Sequence, residues 1–239
     1  MRVAAPLTAC LIVFLRSRFM PSNRARVRRS LPGIAIEGMP FIGAGLGLTA
    51  LTALFSRKAA ILPLALTAFT SYFFRDPDRE CPADSSILYA AADGHITMID
   101  EVDEPRFIGG KATRIVTFLS VFDVHINRTP CAGTVQYRDY VQGEFRAAWD
   151  GEADIVNERA YLGLETEHGP VLISQIAGLV ARRIITWPVV GEELGAGERF
   201  GLIKFGSRTD ILVPSGSINV FVKKGQAIKG GLTQIGAWL

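Results

Sequence analysis

The 239-residue sequence predicts a mostly β fold, either two packed sheets or a partly closed barrel, preceded by an N-terminal hydrophobic helical hairpin. Three observations lead there. Two apolar runs, residues 39–55 and 59–74, are separated only by Ser56, Arg57 and Lys58. From about Pro82 onward the pattern changes to short β-branched and aromatic runs, clearest at 113–122, 171–176 and 211–213. Glycines punctuate that second part at hairpin-like intervals, among them Gly94, Gly133, Gly151, Gly169, Gly191, Gly216 and Gly225.

The first segment, 1–33, holds a short apolar run from Val3 to Leu15, followed by Arg16, Arg18, Arg24, Arg26, Arg28 and Arg29. A secretory signal carries its charge before the apolar run and a small-residue cleavage site after it, so export is not expected. Met20 is an alternative start. The hairpin segment, 34–80, follows. Each apolar run falls slightly short of the ~20 residues that span a bilayer core. Gly43, Gly45, Gly47 and Pro63 suit lipid-embedded helices better than the interior of a soluble fold. The expectation is a membrane hairpin, spanning or shallowly re-entrant, with a hairpin packed on the protein's own core as the alternative. Its flanks, the arginine cluster before and Arg75 and Arg79 after, are basic, which places both ends on the cytoplasmic side of the cell membrane.

The remainder, 81–239, is the β-rich domain. Ala92-Asp93-Gly94-His95-Ile96 and residues 222–228 are similar to the hairpins of lipoyl- and biotinyl-type barrels, without the lysine such barrels carry at a tip. Short helical pieces are expected near 119–122 and 154–161. A net charge of +3 gives no reason to expect a nucleic-acid partner. Cys10, Cys81 and Cys131 show no paired spacing, and His95, His125 and His168 are too few for a multi-histidine centre, so no metal site is expected.

One dipeptide suggests a particular chemistry. Gly206-Ser207 sits in Arg-Phe-Gly-Leu-Ile-Lys-Phe-Gly-Ser-Arg-Thr-Asp-Ile-Leu-Val-Pro, residues 199–214. A serine after glycine has an unhindered carbonyl within reach of its own hydroxyl. Attack by Ser207 Oγ converts the amide to an ester. Elimination and hydrolysis then leave a pyruvoyl group at a new N-terminus, a ketone able to form a Schiff base with an amine. The plain alternative is a tight turn between strands.

The neighbouring blocks decide between these. Residues 199–214, with Phe73-Phe74-Arg75-Asp76-Pro77-Asp78-Arg79, Ala92-Asp93-Gly94 and the run from Phe122 to Pro130, resemble the short form of phosphatidylserine decarboxylase, in the same order, from about Ile34 to about Ile235. The resemblance implies a proenzyme cut between Gly206 and Ser207 into a large chain, 1–206, and a small chain, 207–239, which stay together as a heterodimer. It implies a pyruvoyl group made from Ser207, no metal and no pyridoxal phosphate. The substrate is a membrane phospholipid, whose serine headgroup is decarboxylated to ethanolamine.

For the site, the resemblance implies Asp93 and His125 in cleavage and decarboxylation. Longer relatives carry a second histidine three positions after the first. Here that position is Arg128, so which step His125 serves stays open. Asn127 and Arg128 suit a substrate phosphate or carboxylate, arginine offering a planar fork of donors. Asn157-Glu158-Arg159 resembles another family block and is expected to brace the site. Lys204 and Arg208 flank the scissile bond without an assigned role. His95 is expected to face solvent, and His168 to mark a hairpin tip. Two other readings remain: a decarboxylase of a different serine phospholipid such as archaetidylserine, and a non-enzymatic, membrane-anchored β-barrel binding module.

Overall fold

Apolar helices come first because nothing in residues 39–73 competes with helix formation. In the computed structural model, which describes residues 33–144, 156–178, 183–204 and 207–239, strand β1 (Gly33–Ile34) and one 3-10 turn lead into helix α1 (Met39–Phe55). Pro40 occupies the first helical turn, where its missing N–H costs nothing. Lys58 and its neighbours turn the chain into α2 (Ile61–Phe73), and β2 (Arg75–Asp76) returns to pair with β1. Gly45 lets the two helices touch, since a Cβ there would stand 2.2 Å from Thr67 Oγ1. The hairpin's outer face stays apolar and exposed, through Leu51, Leu54, Phe55, Ile61 and Leu62. Its hydroxyls turn inward on their own helices: Thr49, Thr52, Thr67 and Thr70 each donate to the carbonyl four residues back.

The strands follow in order: β3 (Ile87–Tyr89), β4 (Gly94–Glu104), β5 (Gly110–Leu119), β6 (Ile126–Arg128), β7 (Gly133–Val141), β8 (Arg159–Thr166), β9 (Gly169–Ala177), β10 (Ile184–Thr186), β11 (Glu193–Leu194), β12 (Arg199–Ile203), β13 (Ser207–Pro214), β14 (Ile218–Val220), β15 (Ala227–Ile228) and β16 (Gln234–Trp238). Eight of them form a curled half-barrel in the order β11-β7-β8-β9-β13-β5-β4-β15. Two antiparallel three-stranded sheets, β10-β12-β6 and β14-β16-β3, complete the domain. The expected β fold with a helical hairpin is therefore what forms.

The main core lies between the half-barrel and the β14-β16-β3 sheet, built from Leu88, Ile115, Leu162, Ile173, Phe200, Ile211 and their neighbours. Strand β9 is buried over seven successive residues, as an interior strand must be. A second cluster, Phe73, Phe74, Val124, Ile126 and Leu202, seals the hairpin's base onto β6 and β12. Gly94 opens β4 at φ +142°, where a Cβ would lie 2.0 Å from the Phe118 carbonyl oxygen, so only glycine fits.

Two local expectations change. Residues 119–122 are not helical: Leu119 ends β5, and Asp123 Oδ2 closes a turn by accepting from the Ser120 N–H and Oγ, at 2.8 and 2.7 Å. Of the piece expected at 154–161, residues 159–161 belong to β8, while 154 and 155 lie outside the described residues, as does nearly all of the basic segment 1–33. His168 does sit at the β8–β9 tip, its Nε2 2.9 Å from the Ser85 carbonyl and its ring stacked on Trp238. His95 is exposed.

Candidate active site

Strand β13 enters the half-barrel at Ser207, between Leu119 of β5 and Ala177 of β9. Side chains alternate along it, so Ile211 and Val213 join the main core while Leu212 packs with Tyr161 and Leu172 on the other face. Ser207 and Thr209 thus share the core face, and Arg208 and Asp210 the opposite one. Ser207 is fully buried, and its Oγ has no hydrogen-bond partner among the described residues. Such an orphan costs on the order of 1–3 kcal/mol, which points to a role outside packing. Gly206, the other half of the expected cleavage site, lies outside the described residues.

A buried polar chain ends beside that serine. Thr186 Oγ1 donates to Gln175 Oε1 at 2.7 Å, Gln175 Nε2 to Asn127 Oδ1 at 2.6 Å, and Asn127 Nδ2 to Thr209 Oγ1 at 3.3 Å. Gly201 makes room for it, since a Cβ there would sit 3.0 Å from Gln175 Nε2.

His125 immediately precedes β6, and its carbonyl accepts from the Ile203 N–H at 3.3 Å, four residues upstream of Ser207. The ring is buried against Phe73, centroids 4.3 Å apart. Nδ1 lies 3.0 Å from the Asp123 carbonyl oxygen, which can only accept. The proton is therefore on Nδ1, and Nε2 is the basic nitrogen. Burial lowers the imidazole pKa to about 4, outweighing the Asp123 carbonyl and charge, so the ring is neutral at pH 7. A narrow cleft with about 170 Å³ of space between atoms opens beside it, lined also by Phe73, Phe74, Arg75 and Leu202.

Asp93 is buried in the turn before β4, and its charge reaches His125, weakly favouring protonation there. Its carboxylate is held on three sides. Arg79 donates to both oxygens, at 2.5 and 2.7 Å, and the Gly230 N–H to Oδ1 at 2.9 Å. Arg79 was expected as a basic membrane flank; it is instead spent on this buried pair, because Asp93 would otherwise be an uncompensated buried charge.

Asn127 and Arg128 were expected to face a substrate anion. Asn127 is fully buried in the polar chain above. Arg128 donates to the Gly197 and Pro77 carbonyls, at 3.0 and 2.8 Å, with Asp76 3.7 Å away. Burial lowers its pKa to about 10, still cationic at neutral pH. Both residues brace loops around the site. Asn157 does likewise, donating at 2.8 Å to the carbonyl of Ala177, the pairing partner of Ser207. Arg208 forms a buried two-pronged pair with Asp210, both contacts 2.7 Å. No cluster of metal-ligating side chains occurs among the described residues.

The fold thus gathers Ser207, Asn127 and the His125 strand around one end of β13, with Asp93 within electrostatic reach. The sequence reading missed Arg79, Gln175, Thr209 and Asp210 as their partners. Gln175 carried a signal, a lone amide in the apolar run 171–176.

The protein-family model described as phosphatidylserine decarboxylase matches residues 66–236. A phosphatidylserine decarboxylase proenzyme of Symbiobacterium thermophilum is 53% identical over 207 residues, covering 86% of this chain and 95% of the relative. Proenzymes of the same description from Carboxydothermus hydrogenoformans and Salinibacter ruber are 40% and 44% identical, over 84% and 75% of this chain and 94% and 81% of theirs.

Proposed function

The chain belongs to the phosphatidylserine decarboxylase family, and from that premise we propose that it is a self-processing proenzyme that decarboxylates phosphatidylserine to phosphatidylethanolamine at a membrane surface. Membership removes the binding-module reading and leaves phosphatidylserine favoured over other serine lipids. The observation that carries the self-processing step is Ser207: a buried hydroxyl with no hydrogen-bond partner among the described residues, opening a central strand, in the segment the family model covers.

In this reading Ser207 Oγ attacks the Gly206 carbonyl, and the chain parts into 1–206 and 207–239. His125 Nε2 is the base, since Nδ1 is committed to the Asp123 carbonyl and the ring is uncharged at neutral pH. Asp93 supports it electrostatically. The pyruvoyl group derived from Ser207 supplies the electron sink for loss of CO₂. The site fits that group, because among the described residues its parent hydroxyl makes no hydrogen bond that the chemistry must first break. Beside His125, Phe73 and Leu202 exclude water, and His125 holds or returns a proton once CO₂ has left. Asn127, through Thr209, keeps the start of β13 in place. No metal is required.

The hairpin, 34–80, is the membrane contact in this proposal, and the β-rich domain from 81 carries the chemistry. Helix α2, at 13 residues and so about 20 Å, is too short for a bilayer core of about 30 Å, which favours re-entrant insertion. The 20 residues from Ile36 to Phe55 are long and apolar enough to cross, yet among them only Gly38 and Ile42 are buried within the protein, leaving the rest for lipid. The basic N-terminal segment argues for the cytoplasmic side of the cell membrane.

The test is intact mass under denaturing conditions, for the wild type and Ser207→Ala, with phosphatidylserine turnover measured in parallel. The expected result is a small chain spanning residues 207–239 but lighter than that unmodified segment by one ammonia, its N-terminus reactive toward hydrazides. That chain and the turnover are both lost in the variant. A single uncut wild-type chain would overturn the reading.

A further inference from the structure

Lys204 has no ion pair among the described residues and lies against aromatic rings at the base of the hairpin, two residues before Gly206. Its Nζ stands 5.1 Å from the Phe41 ring centroid and 5.9 Å from that of Phe74. Its backbone N–H donates to the Arg183 carbonyl at 3.2 Å. Arg183 is itself exposed, and its positive charge bears on Lys204. Glu37 is the nearby acid, but its Oε1 accepts from Trp187 Nε1 at 3.2 Å. Neither Lys204 nor Arg183 forms an ion pair among the described residues. Two aromatic faces attract the lysine's charge but accept no full complement of hydrogen bonds from an ammonium, which has three donors. Lys204, half-buried against two rings, and the exposed Arg183, with the one nearby acid Glu37 hydrogen-bonded to Trp187, form a place for an external anion.

We propose that Lys204, assisted by Arg183, binds the phosphodiester anion of the lipid substrate and so sets its depth and selectivity. The proposal rests on the decarboxylase reading and deepens it. The order along the structure matches the order along the lipid. Phe41 belongs to α1 and Phe74 follows α2, so the rings mark the acyl side. Ser207 comes three residues after Lys204, at the reacting end. Between acyl chains and serine a phospholipid carries its phosphate. The substrate's carboxylate is the poorer candidate, because it leaves as CO₂. A strong ion pair to it would stabilise the ground state against the reaction. Arg128, the arginine expected from sequence to take the anion, has its donors on Gly197 and Pro77.

The experiment uses the full chain in detergent mixed micelles, comparing wild type, Lys204→Met and Lys204→Arg, with rates normalised to the amount of small chain found by mass. Wild-type cleavage and turnover test the function itself; the variants test this inference. Losing a charge-assisted bond is expected to raise KM for phosphatidylserine roughly 10- to 100-fold with kcat little changed. The inhibition constant for phosphatidylethanolamine, which keeps the phosphate and lacks the carboxylate, rises by the same factor, and Lys204→Arg restores most of both. If KM rises while the phosphatidylethanolamine constant does not, the lysine reads the carboxylate and the proposal is wrong. Inorganic phosphate competing as strongly as the lipid product would make this a free-phosphate site. A Lys204→Met chain that does not cleave would assign the lysine to processing instead.

Discussion

Ser207 and His125 owe their chemistry to burial more than to direct contact with charge. The pKa of His125 is pushed down to about 4, chiefly by burial, against an ordinary value of 6.5. Between those two pH values the unfolded chain binds the extra proton and the folded chain does not. Stability from this residue is therefore complete above about pH 6.5 and falls as pH drops toward 4, by at most about 1.4 kcal/mol per pH unit. Chemical unfolding of the uncut Ser207→Ala chain at pH 7 and pH 5 should show that loss. The same chain with His125→Gln should show a flatter profile, and equal slopes would mean the ring is not buried neutral. At this scale the sequence picked out Gly206-Ser207, Asp93 and His125 by motif. It missed Arg79 and Gln175, whose partners lie 14 and 48 residues away. Their hydrogen bonds exist only once segments separated in sequence have been folded against one another.

Strand β13 brings a buried ion pair into the centre of the sheet. Removing one partner strands the other charge, so Arg208→Met should cost about 3–5 kcal/mol, whereas Arg208→Met with Asp210→Leu should recover most of it. Denaturant unfolding of the uncut chain measures both, and a double variant as unstable as the single one would mean the pair holds other groups in place. In the hairpin, Gly45 and Gly47 look alike in sequence but differ in structure. A Cβ at Gly45 meets Thr67, while at Gly47 nothing lies within 4 Å. Gly45→Leu should lower the melting temperature in detergent, at an overpacking cost of about 1–3 kcal/mol, and Gly47→Leu should not. Helix and strand positions were legible from apolar periodicity. Which glycine faces the partner helix was not, because both helix surfaces are apolar and periodicity then carries no facing signal.

For the whole molecule, the proposed cut falls before a strand flanked on both sides, and the two proposed pieces are held together by strand pairing. Small-chain strand β13 pairs with β5 and β9, β15 with β4, and β16 with β3, all in the large chain. Arg79 and Asp93 also grip Gly230 across the two pieces. The processed protein should therefore elute as one species in native detergent buffer and separate only under denaturant. Early loss of the small chain would mean that β13 is not held in the sheet. The exposed apolar hairpin should also carry the protein to lipid, so that deleting residues 39–73 abolishes flotation with phosphatidylserine vesicles.

The sequence by itself determined the hairpin, the β-rich domain and the family, and marked the candidate scissile dipeptide, since apolar patterning and ordered motifs are local properties of the chain. Tertiary structure alone decided that Arg79 pairs with Asp93, that Asn127 and Arg128 hydrogen-bond to neighbouring protein groups, and that Lys204 stands against two aromatic rings without an ion pair among the described residues. A charge's role depends on what lies within a few ångströms of it, and in an antiparallel half-barrel those neighbours come from strands far apart in sequence.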